Sequence, residues 1–361
     1  MKPIIGITAG DINGVGYEVI LKSLLHPHVF ELCRVVVYGN AKIARQHGKN
    51  LSNEYHNMHW NVIESPRQAK DGKLNMISCY KDDTPLEIGV STVSGGDAAY
   101  KSLQRATGDL QKGLLQALVT APINKDNIQS DNFRYSGHTE YLTHYFGGEG
   151  DSLMLLLSDS MRVALVCNHT PISQVSEKIT VENILSKLSV LNKSLHVDFS
   201  ISKPRIAVLA LNPHAGDNGL IGKEEQEVIS PAIAQAQEEG IWAFGPYSAD
   251  GFFGAGQYVH FDAILAMYHD QGLAPFKALD MSGVNYTAGL RVVRTSPDHG
   301  TAYGIAGKNK ADATSMLHAI YSAIDILKTR TQNQEQLSNQ LVVEIKEVKQ
   351  DYYVEKFVPI D

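Results

Sequence analysis

The stretch FDAILAMYHDQGLAPFK, residues 261–277, decides how the chain reads. It opens as an apolar run of strand length, Phe261 to Met267. It then breaks into Tyr268, His269, Asp270, Gln271 and Gly272 and closes on Lys277. A short buried strand that delivers ionisable residues past its C-terminal end is how open α/β sheets build sites. The pattern occurs twice more. MRVALVCNHT (161–170) runs into His169, and RIAVLALNPHAG (205–216) runs into His214. Any one of these alone reads as a strand-end imidazole satisfied by a backbone carbonyl. Three at the same end of successive strands point instead to one divalent metal with open positions, the arrangement of a catalytic site. Their spacings match no local zinc motif, so the signal is positional. Asp250 and Asp270 stand as further ligands or as partners that orient the imidazoles.

Composition narrows the class. With 361 residues and 43% hydrophobic content the chain can bury a large core and exceeds the usual size of one domain. A net charge of -7 argues against a nucleic-acid partner. Cys33, Cys79 and Cys167 are too few and too scattered for a disulfide framework, which fits a reducing cytoplasm. MKPIIGITAGDING lacks the apolar core of a secretory signal, and no apolar run reaches the roughly 18 residues of a membrane span, so we expect no membrane association.

Strand-like runs at 3–8 (PIIGIT), 34–39 (RVVVYG), 60–63 and 114–120 alternate with helical periodicity at 17–25, 92–106, 179–194 and 313–328. Alternation of this kind gives a mostly parallel sheet with helices on both faces. Gly10, Gly14 and Gly16 do not form G-x-G-x-x-G, so no dinucleotide fingerprint is present; Asp11 beside them is the unexpected residue. GPYSADGFF (245–253) reads as a loop, Pro231 should kink or restart its helix, and LVVEIKEV near the end reads as a strand.

A cationic set accompanies the histidines. Ser136-Gly137-His138-Thr139-Glu140 reads as a helix start with a hydroxyl cap, and helix N-termini suit anions. His138 is then either a capping residue or part of an anion pocket. With Thr139, Lys277, Asn285 and Arg294 it forms a candidate pocket for a phosphorylated small molecule, because Arg supplies a fork and Lys a point charge.

At these residues the chain resembles a known family. SGHTEYL, LNPHAGDNGLIGKEE, AMYHDQGLAPFK, GVNYTAGL and RTSPDHGTAYGIAGKNKAD are similar to the motifs of the 4-hydroxythreonine-4-phosphate dehydrogenase family of pyridoxal phosphate biosynthesis, over about residues 3–320. The resemblance implies an isocitrate-dehydrogenase-like fold, two α/β/α domains with a mostly parallel sheet and a cleft between them. Residues 1–130 with 291–361 would form one domain; residues 131–290 would form the other and carry the metal ligands and dimer interface. It implies His169, His214 and His269 as ligands of zinc, magnesium or cobalt, with His269 reaching across a homodimer whose active site lies at the subunit interface. It also implies NAD as cofactor and His138, Thr139, Lys277, Asn285 and Arg294 as substrate-holding residues. Ile12 and Tyr17 replace prolines usual in the family opening, and TAPINK (120–125) is a variant of relatives with other four-carbon acid phosphates. These departures leave the substrate open.

The expected reaction is oxidation of 4-phosphohydroxy-L-threonine to a β-keto acid that decarboxylates to 3-amino-2-oxopropyl phosphate. Lys277, Asp270 and Asp250 are the candidate catalytic residues, with Lys277 or Asp270 taking the proton. The rivals are a dehydrogenase of threonate or erythronate 4-phosphate, a metal-dependent phosphohydrolase using the same residues without nicotinamide, and a binding protein without turnover.

Overall fold

The computed structural model describes residues 2–148 and 152–338; the strand expected at LVVEIKEV lies outside them. Twelve strands join one sheet: β1 (Ile4–Thr8), β2 (Arg34–Gly39), β3 (Trp60–Val62), β4 (Leu74–Ser78), β5 (Ala117–Thr120), β6 (Leu153–Leu157), β7 (Arg162–Cys167), β8 (Ile206–Leu209), β9 (Ala243–Tyr247), β10 (Ala263–Tyr268), β11 (Val284–Ala288) and β12 (Val293–Pro297). Their order is β3-β4-β2-β1-β5-β12-β11-β6-β7-β10-β8-β9. This is the mostly parallel, isocitrate-dehydrogenase-like α/β architecture. β1, β5, β8 and β12 are buried along their whole length because helices cover both faces. That is why β1, β5 and β8 read as continuous apolar runs rather than alternating ones.

The sheet's two parallel blocks run in opposite senses. β12–β11, β11–β6 and β6–β7 pair antiparallel, and all other pairings are parallel. Three reversals leave β7, β10, β8 and β9 antiparallel to β1, β2, β3, β4, β5 and β12. Residues before 121, with β12, build one block; residues 153–288 build the other.

The helices follow their sequence signals. The helix Val93–Gln111 is capped by Thr92, whose hydroxyl accepts from Gly95 N. Gly96 packs against the backbone of Asn127 so closely that a Cβ there would collide with it. The helix Thr314–Ser338 buries Met316, Ile320 and Ile324 and runs a further ten residues beyond the periodic stretch. Two readings are corrected. GPYSADGFF is not a loop: it supplies the end of β9 and the helix Ala249–Gly254. Ser136 does not cap the helix His138–Phe146, whose N-cap is Gly137 with no side-chain bond. Among the described residues no helix is long and apolar enough to cross a membrane.

Candidate active site

A cavity of about 340 Å³ lies over the antiparallel seam, between the strand ends of the two blocks. Its floor comes from β11 and β12. Asn285 faces Ser296 across the ladder, and Arg294 stands two residues before Ser296 on the same face. Thr120 enters from the end of β5, and Asn168 and His169 enter from just past β7. His269 begins the helix His269–Leu279 directly after β10, and Lys277 lies two turns along it. His138 and Thr139 open the helix His138–Phe146 on the opposite wall.

Arg294 sets the electrostatics. It is 3% exposed. Its Nε and Nη2 donate to Thr120 Oγ1 at 3.1 and 2.7 Å, and Nη1 donates to Thr287 Oγ1 at 3.0 Å. No carboxylate pairs with it in the described residues, and burial pushes its pKa down to about 10, with only Glu140 opposing. Buried cations are normally paired, so an isolated guanidinium in a cavity wall is an anion site. Burial, with Arg294 and Lys125 nearby, likewise holds the His138 imidazole well below its usual range. Four lining side chains present buried atoms that bond to no group among the described residues: His138 Nε2, Asn168 Oδ1, Asn285 Oδ1 and His299 Nε2. Unsatisfied buried polar atoms are costly, and four converging on one cavity mark where a polar ligand makes its bonds.

The expected imidazole triad is only partly assembled. The His169 and His269 rings are 6.1 Å apart between centroids. Two imidazoles on one ion, at metal–nitrogen bonds of about 2.1 Å, have ring centres roughly 5–6.5 Å apart, so the pair fits a cation. His269 Nδ1 bonds Asp270 Oδ1 at 2.7 Å, which fixes the tautomer and leaves Nε2 for the cavity. Burial lowers the His169 pKa, and Lys125 and His269 add to this, favouring the neutral form that binds metals. His214 is exposed and outside this cavity, beside Asp250, whose carboxylate accepts from Ser248 at 2.5 Å. No group of three His, Cys, Asp or Glu is arranged to hold a metal among the described residues. His269 thus shares a cavity with His169 of its own chain; the imidazole left outside is His214.

Asp270 and Asp250 do not line the cavity, whereas Lys277 does. Lys277 Nζ is 3.1 Å from Asp298 Oδ2. Thr120, Lys125, Asn168, Asp298 and His299 are lining residues that sequence reasoning did not single out for the site. The signal for the first two was present, since TAPINK follows a strand end. A second cavity, of about 490 Å³ and mainly apolar, shares His299 and is lined by Val15, Met281, Ala302, Ile305 and Ala311.

Fold and site together define an α/β enzyme of the isocitrate-dehydrogenase-like class with a pocket for a small anion. Residues 31–323 match the family described as pyridoxal phosphate biosynthetic protein PdxA, and the chain belongs to that family. It is 49% identical over 348 residues, 96% of this chain and 95% of the relative, to the 4-hydroxythreonine-4-phosphate dehydrogenase of Bacteroides thetaiotaomicron. It is 39% identical to an Oceanobacillus iheyensis protein named as a candidate D-threonate 4-phosphate dehydrogenase, over 91% of this chain and 99% of that one. The crystal structure of 4-hydroxythreonine-4-phosphate dehydrogenase from Klebsiella pneumoniae superposes with a TM-score of 0.78 at 33% identity, covering 91% of this chain and 98% of the other.

Proposed function

We propose that the protein is an NAD-dependent, divalent-metal-dependent dehydrogenase. It oxidises 4-phosphohydroxy-L-threonine to a β-keto acid that decarboxylates to 3-amino-2-oxopropyl phosphate. The observation that carries the reading is the buried Arg294, without a carboxylate partner among the described residues, beside the His169–His269 pair: an anion site next to a cation site, one small molecule apart. Arg294, His138, Thr139 and Asn285 hold the phosphate, with Thr120 and Thr287 fixing the guanidinium plane. His169 and His269 supply two ligands for a zinc, magnesium or cobalt ion; His214 supplies the third from a second copy of the chain, in a homodimer with an interfacial site. The bound ion would supply Lewis-acid activation of the substrate hydroxyl, and NAD would supply the hydride acceptor. Lys277 lies inside the cavity and takes the hydroxyl proton in its neutral form, with Asp298 at 3.1 Å placed to receive the proton the ammonium first gives up. The apolar cavity sharing His299 offers space for the dinucleotide. Three free cysteines accord with a cytoplasmic setting.

The Oceanobacillus relative favours one second reading, D-threonate 4-phosphate as substrate. Steady-state NADH formation with both phosphorylated acids, NAD and a series of divalent ions separates them. Turnover of the hydroxythreonine ester alone supports the first reading, and turnover of threonate phosphate alone replaces it. Phosphate release without NAD would exclude both.

A further inference from the structure

His214 sits in a segment that L-residues avoid. His214, Ala215, Gly216, Asp217 and Asn218 are consecutively left-handed, with φ of 53, 52, 78, 42 and 58°. Such a run survives only where its surroundings fix it. The fixing group is Glu225, 2% exposed, at the start of a π-turn over Glu225–Ile229. Its Oε1 accepts from Leu211 N at 2.8 Å and from Asn212 N at 2.7 Å. Its Oε2 accepts from Asn212 Nδ2 at 3.0 Å. Asn212 Nδ2 also donates to Glu224 at 2.7 Å. The carboxylate therefore clamps the two residues that launch the turn. The turn closes over it: a Cβ on Gly216 would stand 2.6 Å from Glu225 Oε2. Glu225 is buried and faces the chain leaving β8. π-Turns are rare and are found frequently at functional sites.

We infer that Glu225 is a positioning residue: by clamping Leu211 and Asn212 it holds the His214 turn left-handed, in the one orientation that offers this imidazole as a metal ligand outside its own chain's cavity. The inference rests on the reading of His214 as the third ligand. A glutamine would place an amide N–H₂ against the Asn212 N–H₂, donor facing donor. Oε1 could still serve the Leu211 and Asn212 backbone donors, but the Asn212 side chain would lose the acceptor that Oε2 gives it and meet a donor there. The turn would lose its template while β8 and its neighbours keep theirs.

The test is a double-mutant cycle on Co²⁺ binding to the full chain, read by chelator competition and by the visible spectrum of the bound ion. Glu225→Gln should weaken Co²⁺ by about ten- to a hundred-fold, the range for groups that orient a ligand. In a His214→Ala background the same substitution should change nothing further. Gly216→Ala, which strains the turn but keeps the carboxylate, should behave like Glu225→Gln; it carries the test if Glu225→Gln does not fold. Wild-type affinity in Glu225→Gln, or an equal loss in both backgrounds, overturns the inference and leaves the ligand role of His214 standing. Wild-type affinity in His214→Ala overturns both.

Discussion

Lys277 Nζ and Asp298 Oδ2 stand 3.1 Å apart, joining the helix after β10 to the end of β12 across the cavity. Burial raises the Asp298 carboxyl above its ordinary 3.8, and Lys277 only partly offsets this. Raised above its unfolded value, the carboxyl contributes stability that is complete below pH 3.8 and is lost as pH rises through the folded value. Without Lys277 that loss deepens. Lys277→Ala should therefore show a larger deficit in unfolding free energy at neutral pH than in mild acid. If Lys277 takes the proton, its kcat should also fall by about 10²–10⁴-fold, with Lys277→Arg giving no rescue because a guanidinium does not release its proton at neutral pH. Full activity in Lys277→Ala would reassign the base.

Arg294 predicts a trade between stability and binding. Its charge is buried against two threonine hydroxyls with no carboxylate partner among the described residues. Replacing such an ion by an apolar group of similar volume is neutral or stabilising. Arg294→Met should raise the urea midpoint of the ligand-free protein while abolishing binding of the phosphorylated substrate. Arg294→Lys keeps the charge but loses the fork, and its KM should rise about ten- to a hundred-fold, a charged hydrogen bond being worth about 1.5–3 kcal/mol. A lower midpoint for Arg294→Met would mean that the guanidinium is structural.

The strand ends were legible because β7, β8 and β10 are buried on both faces and read as apolar runs that stop abruptly at polar residues. The sheet centre was not. β6, β11 and β12 reverse direction beside one another, and VNYTA and VRTSP are polar enough to pass for glycine-flanked connections. Asn285 and Arg294 were identified as substrate-pocket candidates without the floor that carries them. His214 shows the other limit. Its place after a strand was readable, but its left-handed turn follows from Glu225, eleven residues on and buried, which no local spacing reveals.

His47 predicts how the fold responds to acid. It is 1% exposed, bonds Ile12 O through Nε2 at 2.7 Å and stacks on Tyr17. Burial lowers its pKa from 6.5 to about 4, against weaker opposing effects of the Ile12 carbonyl and Glu18. The unfolded chain thus takes up this proton before the folded one does. The associated stability is complete above pH 6.5 and is lost as pH falls to about 4, amounting to about 3 kcal/mol at 1.36 kcal/mol per unit. His47→Gln keeps a donor for Ile12 O and removes the titration. Urea unfolding across this range should give a flatter pH dependence for the variant; an unchanged slope would show that His47 protonates freely in the folded state.

Arg330 ties the long helix Thr314–Ser338 to the opposite block of the sheet. Its Nε donates to Asp198 Oδ1 at 2.6 Å and its Nη2 donates to the Tyr286 hydroxyl at 2.9 Å, while that hydroxyl donates to Asp198 Oδ2 at 2.6 Å. Asp198 follows the helix Val181–Val197 and Tyr286 lies on β11, so three elements meet on one ion pair. The side chains are 16% and 3% exposed, too buried for solvent to replace a missing partner. Arg330→Ala should cost about 3–5 kcal/mol by leaving Asp198 charged and unpaired. Arg330→Met with Asp198→Leu should recover part of that loss, because the uncompensated charge is gone while the buried Tyr286 and Ser194 hydroxyls lose Asp198 as acceptor. Equal destabilisation in the single and double variants would show that packing of the long side chain, and not charge pairing, holds the two blocks together.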